Sequence, residues 1–140
     1  MRVLIVEDEA LIAMDLEDIV TDSMAAECLW ARTLADGLAK AGAEVDFALL
    51  DVDLNGHTSI PVAERLTERR IPFCFVSGSL ADLPTRFRSV PCIAKPFHSD
   101  QIRALLPRFW RTTSVGPQRA VILDGRCFDR VALTERGMSL

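Results

Sequence analysis

Apolar runs short enough for strands recur along the chain, with helical patterns between them. RVLIV at 2–6 has only its first position polar and reads as a buried strand. Ile12, Leu16, Ile19 and Val20 follow at i, i+4, i+7 and i+8, the spacing of one helical face. AECLWA at 26–31 is a second strand. TLADGLAKAG at 33–42 then predicts a short helix capped by Thr33 and stopped by Gly42. FALLD at 47–51 is a third strand, followed by a turn at Asn55-Gly56. The next helix starts near Thr58 or Ser59, where Pro61 is tolerated because a first-turn N–H has no intrahelical partner.

IPFCFVS at 71–77 and VPCIAK at 90–95 supply a fourth and a fifth strand. SLADLPTRFRSV between them has little helical pattern and predicts one irregular short helix. A last helix is expected after Ser99 as cap, with Ile102, Leu105, Leu106 and Phe109 on one face and Pro107 kinking or ending it early. Strands alternating with helices imply right-handed βαβ units and a parallel sheet covered on both faces, and the uniformly apolar strands agree. The fold class is therefore α/β and doubly wound. Beyond Thr112 the composition shifts, and AVIL-DG-RCF has hairpin chemistry. Residues 112–140 are read as a tail that is either a hairpin, a docked strand or a floppy terminus.

Composition narrows the classes. With 140 residues and 49% hydrophobic content the chain suits one domain with one continuous core. The net charge of −4 arises from 20 acidic and 16 basic residues with no basic stripe, which argues against gripping a phosphate backbone. Cys28, Cys74, Cys92 and Cys127 form no CxxC pair, and only His57 and His98 could join them. Zinc and disulfide frameworks are therefore not expected, and a reducing cytosol is. Cys74 and Cys92 are expected as small core residues, His57 and His98 as exposed helix-entry residues, and Trp30 and Trp110 as packing or surface anchors. MRVLIV is interrupted at once by Glu7, Asp8 and Glu9, so it lacks a signal-peptide core, and no run approaches membrane-spanning length.

The chemistry-bearing residues share one placement. Glu7 and Asp8 follow the first strand, Asp51 ends the third, Ser77 the fourth and Lys95 the fifth. The carboxyl edge of a parallel sheet is where open α/β folds build their sites. Each residue alone has a plainer reading: Glu7 and Asp8 as acids favouring the following helix, Ser77 as a cap, Lys95 as a solvated charge, Glu9 as a solvated first-turn acid. Gathered, the carboxylates would repel, and would protonate or capture a hard cation such as Mg²⁺. A carboxylate beside a metal can act as a nucleophile toward a phosphoryl group, with Lys95 and the Ser77 hydroxyl meeting the transferred oxygens.

Four ordered motifs carry a family resemblance: LIVEDEA, ALLDVDLNG, FVSGS and IAKPF. Over about residues 1–111 the sequence resembles the receiver domain of two-component response regulators. The resemblance implies a CheY-like, five-stranded sheet in the order 2-1-3-4-5 and Asp51 as phosphoacceptor. It implies Asp8 and Asp51 as metal ligands, Glu7 as a ligand through water, and the backbone carbonyl of Asp53 as another. Ser77 would bond the phosphoryl group and shift on activation, and Lys95 would pair with it. Gly56 and Gly78 would serve the loops, and Lys95-Pro96 is a candidate cis peptide.

The same resemblance implies Mg²⁺, replaceable by Mn²⁺ or Ca²⁺, and phosphate taken from a histidine kinase or a phosphotransfer protein. It also implies a cytoplasmic single-domain adaptor, relay or phosphate sink, with no turnover activity and no nucleic-acid or membrane partner, as a monomer or weak homodimer. The sequence departs from most receivers in carrying Asn55 where they have Pro, and Cys92 where they have a switch Tyr or Phe. FVSGS, DLNG, LPTRFRSVP and AKPF resemble instead a proteobacterial receiver subfamily with a Phe-Ala-Thr-Gly type fourth strand. Its usual Tyr is Ser79 here, and it implies kinases of the HWE or HisKA2 kind. Two other readings stay open. In a haloacid-dehalogenase-like phosphatase Asp51 would be the nucleophile and Asp53 the general acid. A pseudo-receiver would bind partners without responding to phosphate.

Overall fold

The computed structural model describes residues 1–87, 89–114, 120–123 and 126–129, with side chains as far as Leu106. The elements run β1 (Arg2–Val6), α1 (Ala10–Ser23), β2 (Glu27–Ala31), α2 (Leu34–Ala41), β3 (Phe47–Leu50), β4 (Asp53–Leu54), β5 (His57–Thr58), α3 (Ile60–Glu68), β6 (Phe73–Ser77), β7 (Cys92–Ala94), α4 (Ser99–Ser114), β8 (Ala120–Leu123) and β9 (Arg126–Asp129). The central sheet has five parallel strands in the order β2-β1-β3-β6-β7. Counting only its members, this is the 2-1-3-4-5 order of the sequence reading. β1 has its expected bounds, and the other four sheet strands are shorter than expected by one to two residues at an end, which places Asp51 and Lys95 just beyond β3 and β7.

Strand alternation divides the core. Leu4, Val6, Ala48, Leu50, Phe73 and Phe75 point to the face covered by α2 and α3, together with Val62, Ala63 and Leu66. Val3, Ile5, Phe47, Leu49, Cys74 and Val76 point to the other face, against Leu16, Ile19 and Val20 of α1 and Ile102 and Leu106 of α4. Thr33 caps α2 by accepting the N–H of Asp36 at 3.1 Å, and Gly42 closes it. At Gly37 α2 comes close to α3: an added Cβ would lie 3.1 Å from Val62 Cγ2, so that side chain would have to shift to admit it.

Several expectations require correction. One short helix was expected between the fourth and fifth strands, and two 3₁₀ turns stand there instead, Leu80–Asp82 and Thr85–Phe87. Leu83 precedes Pro84 and is extended, at φ −67° and ψ 136°, because the proline ring disfavours helical backbone before it. Phe87 is the anchor, edge-on to Phe73 and Phe75 at centroid distances of 6.3 and 6.0 Å.

Helix α4 neither stops nor is interrupted at Pro107 but continues to Ser114, and Ser99 is its first residue, not its cap. Ile102 and Leu106, both ahead of Pro107, are the buried positions that seat α4 on the sheet. Cys92 is exposed: β7 buries Ile93 and turns its neighbours outward. The DLNG turn is a β-hairpin, with Asp53 and Leu54 paired antiparallel to Thr58 and His57. Asn55 at φ 52° and Gly56 at φ 92° give the left-handed pair that a two-residue hairpin requires. Proline, fixed near −65°, cannot take the backbone of Asn55.

Strands β8 and β9 pair antiparallel, from Ala120 opposite Asp129 to Leu123 opposite Arg126. The side chains of Phe109, Trp110 and Cys127, and residues 130–140 of the expected tail, lie outside the described residues. Among the described residues no helix is long and apolar enough to cross a membrane.

Candidate functional site

Parallel pairing itself delivers the site residues to one edge. Beyond each strand the ladder continues for one more peptide bond: Glu7 N–H donates to Ala31 O at 3.0 Å, Asp51 N–H to Val6 O at 2.9 Å, and Lys95 N–H to Ser77 O at 3.1 Å. The backbone of each is thus fixed before any side chain interacts.

The side chains then converge. Lys95 Nζ donates to Glu7 Oε1 at 2.5 Å and to Asp51 Oδ2 at 3.0 Å. One carboxylate oxygen from each of Glu7, Asp8 and Asp51 can be chosen such that all three lie within 4.8 Å of one another. Glu7 and Asp51 are buried and Asp8 is half-buried. Three carboxylates face one ammonium, so negative charge is left over for a cation. Burial pushes the Glu7 carboxyl up from 4.5 to about 7, the charge of Asp51 adds to the rise, and contacts with Lys95 and with the Glu9 N–H oppose it. Burial alone would lower Lys95, but its bonds to Glu7 and Asp51 win and hold the ammonium above its ordinary range.

The donor set suits a hard divalent ion: three carboxylates, no thiolate or imidazole, and a half-buried member open to solvent. Glu9 occupies the N-cap position of α1 with no side-chain bond, and Glu7 Oε2 accepts only the N–H of Glu9, at 3.1 Å. Glu9 is exposed and stands one position ahead of the first turn it was expected to join.

The remaining predicted residues divide. Ser77 is fully buried at the end of β6 beside Lys95, and its Oγ accepts the N–H of Ser79 at 3.0 Å. A Cβ built on Gly78 would meet nothing within 4 Å, so the chain beside Ser77 opens immediately after it. The Lys95-Pro96 bond is cis. Asp53 lies outside the carboxylate group, exposed, and its Oδ1 accepts the N–H of Gly56 at 3.1 Å, stabilising the hairpin turn. His57 and His98 are exposed.

Two features escaped the sequence reading. Trp30 of β2 donates its Nε1–H to the carbonyl of Glu7 at 2.8 Å. An indole in a partly buried strand needs an acceptor, which was the available signal; which carbonyl it reaches depends on the β1–β2 register. An open groove of about 550 Å³, lined by Leu11, Ile12, Asp15, Lys95, Pro96 and Phe97, adjoins the site. Leu11 beside it is 81% exposed and Met14, a turn further on, 56%.

No protein-family model matches this sequence, and no curated protein matches it. Solved structures do. SdrG from Sphingomonas melonis Fr1 is 41% identical with a TM-score of 0.65, over 79% of this chain and 96% of that one. The BeF3-activated conformation of SdrG from Pseudomonas melonis Fr1 is 42% identical with a TM-score of 0.62, over 76% and 92%. The receiver domain of the response regulator PhyR from Erythrobacter litoralis is 28% identical with a TM-score of 0.66, over 79% and 89%.

Proposed function

Because the chain belongs to the response-regulator receiver family, we propose that it accepts a phosphoryl group on Asp51 from a histidine kinase or phosphotransfer protein and signals through protein contacts. The observation that carries this reading is Lys95 Nζ at 3.0 Å from Asp51 Oδ2, with Glu7 and Asp8 gathered on the same carboxylate. In the transfer, an Asp51 oxygen forms the new P–O bond as the P–N bond of the donor phosphohistidine breaks, its electron pair leaving with the imidazole. Glu7, Asp8, Asp51 and the Asp53 carbonyl would hold Mg²⁺, which when bound supplies positive charge against the phosphoryl oxygens.

Lys95 exchanges a carboxylate oxygen for a phosphoryl oxygen. The Ser77 hydroxyl, whose oxygen accepts the Ser79 N–H, still has its own proton to donate to the phosphoryl group. The donor protein must approach this edge, where Leu11 and the groove beside Lys95 offer apolar surface. The scattered basic residues fit a protein partner better than a nucleic acid. Similarity to an SdrG structure described as BeF3-activated supports a switch driven by phosphate over a silent pseudo-receiver. The FVSGS and DLNG motifs support the subfamily with a Phe-Ala-Thr-Gly type fourth strand, and with it a cytoplasmic module served by an HWE or HisKA2 kinase.

A phosphatase would need Asp53 as general acid, and that carboxylate is engaged with Gly56 instead. This favours a module that takes up phosphate without turning over a substrate. Incubation with acetyl phosphate and Mg²⁺ is expected to label the wild-type chain at Asp51 and leave Asp51→Asn unlabelled. A folded wild type that takes no label overturns the reading.

A further inference from the structure

Glu7 carries a side chain in the carboxylate group, and the peptides on either side of it are each held by a hydrogen bond. Its N–H donates to Ala31 O at 3.0 Å, and its carbonyl accepts the Trp30 indole at 2.8 Å. Trp30 is itself restrained. The guanidinium carbon of Arg32 lies 5.2 Å from the ring centroid. Lys40 Nζ donates to the Trp30 carbonyl at 2.5 Å and is paired with Asp36 at 2.9 Å. Here the chain leaves β1 and must turn sharply enough to present Glu7 and Asp8 side by side to Asp51.

From outside the 7–9 segment, Ala31 O holds the Glu7 N–H and Lys95 holds the Glu7 carboxylate, while α1 begins without a side-chain cap and Glu9 is exposed. Among the described residues, the Trp30 indole is the side chain bonded to the Glu7 carbonyl, and so to the peptide joining the two acids. We propose that Trp30 is a positioning residue for the cation site, holding the Glu7–Asp8 peptide so that both carboxylates reach one ion. This rests on the reading that Glu7, Asp8 and Asp51 bind a divalent cation. Groups one bond removed from a ligand set commonly tune its affinity, because they decide how much of the ligands' freedom is lost before binding.

The test uses the full chain and Mg²⁺ alone. Trp30→Phe keeps a ring for Arg32 and removes only the donor, and is expected to weaken Mg²⁺ binding by calorimetry about three- to tenfold, the worth of one net hydrogen bond. In wild type, the indole ¹H–¹⁵N resonance that Trp30→Phe deletes is expected to move on Mg²⁺ addition, and to stay still in Asp8→Asn. A packing role alone would not move it. Unchanged affinity in a folded Trp30→Phe, or an indole resonance indifferent to saturating Mg²⁺, overturns the tether while leaving the cation site intact. A wild type that binds no Mg²⁺ overturns both.

Discussion

Glu7 and Lys95 stand 88 positions apart in sequence and meet at 2.5 Å, the ammonium bridging onward to Asp51 at 3.0 Å. The pair joins the first strand of the sheet to its far edge. It also leaves Glu7 buried with incomplete compensation, which makes stability depend on pH.

The folded carboxyl titrates at about 7 and the unfolded one near 4.5, so the folded state holds the proton more tightly. The stability this contributes is fully present below 4.5 and is lost as pH rises through about 7, to a limit of roughly 3 kcal/mol. Without divalent ions, Glu7→Gln is expected to gain stability over wild type at pH 8 and to lose that advantage by pH 5. Urea denaturation at the two values checks it; a difference that does not change with pH would remove Glu7 as the cause.

Cation binding should run the other way. Mg²⁺ competes with the Glu7 proton, so its affinity should climb between pH 6 and pH 8, by at most about tenfold per unit for one displaced proton. Calorimetric titration is expected to show this climb in wild type and a nearly flat profile in Glu7→Gln. Equal slopes in the two proteins would assign the competing proton elsewhere.

The hairpin gives a prediction about backbone alone. Asn55→Pro restores the residue most receivers carry, yet φ 52° is closed to proline. The substitution is expected to cost about 2 kcal/mol or to remodel the 53–58 hairpin. An unchanged urea midpoint with the Asp53–Thr58 pairing intact by NMR would refute the argument.

Arg69 offers a test of packing between helices. Its Nη1 donates to the carbonyls of Ala41 and Ala43, at 2.5 and 2.7 Å, where α2 ends. Exposure limits the value, and Arg69→Ala is expected to cost about 1 kcal/mol in chemical denaturation. No measurable loss would mean that water replaces both bonds.

How much of this was readable beforehand depends on the range of the forces involved. Asp51, Ser77 and Lys95 could be placed because strand ends follow from local apolar runs, and parallel pairing brings all such ends to one edge. The Thr33 cap is likewise local. Pro107 misled because a missing N–H is a local signal that does not by itself decide where a helix ends. Cys92 misled because an apolar run does not reveal that its strand lies at an edge with one face open. The Trp30 contact depends on which residue of β2 lies beside which residue of β1, and no motif encodes that register.

From Leu80 to Phe87 the chain forms only 3₁₀ turns, closed by bonds between residues three apart, Leu83 N–H to Leu80 O at 3.2 Å and Phe87 N–H to Pro84 O at 2.9 Å, with the Phe87 ring against Phe73 and Phe75 of the sheet. Such a stretch can lift away without breaking any strand pairing. In heavy water its amides should therefore exchange well before those of β6, so that the rim of the molecule nearest Ser77 breathes while the floor beneath it stays closed.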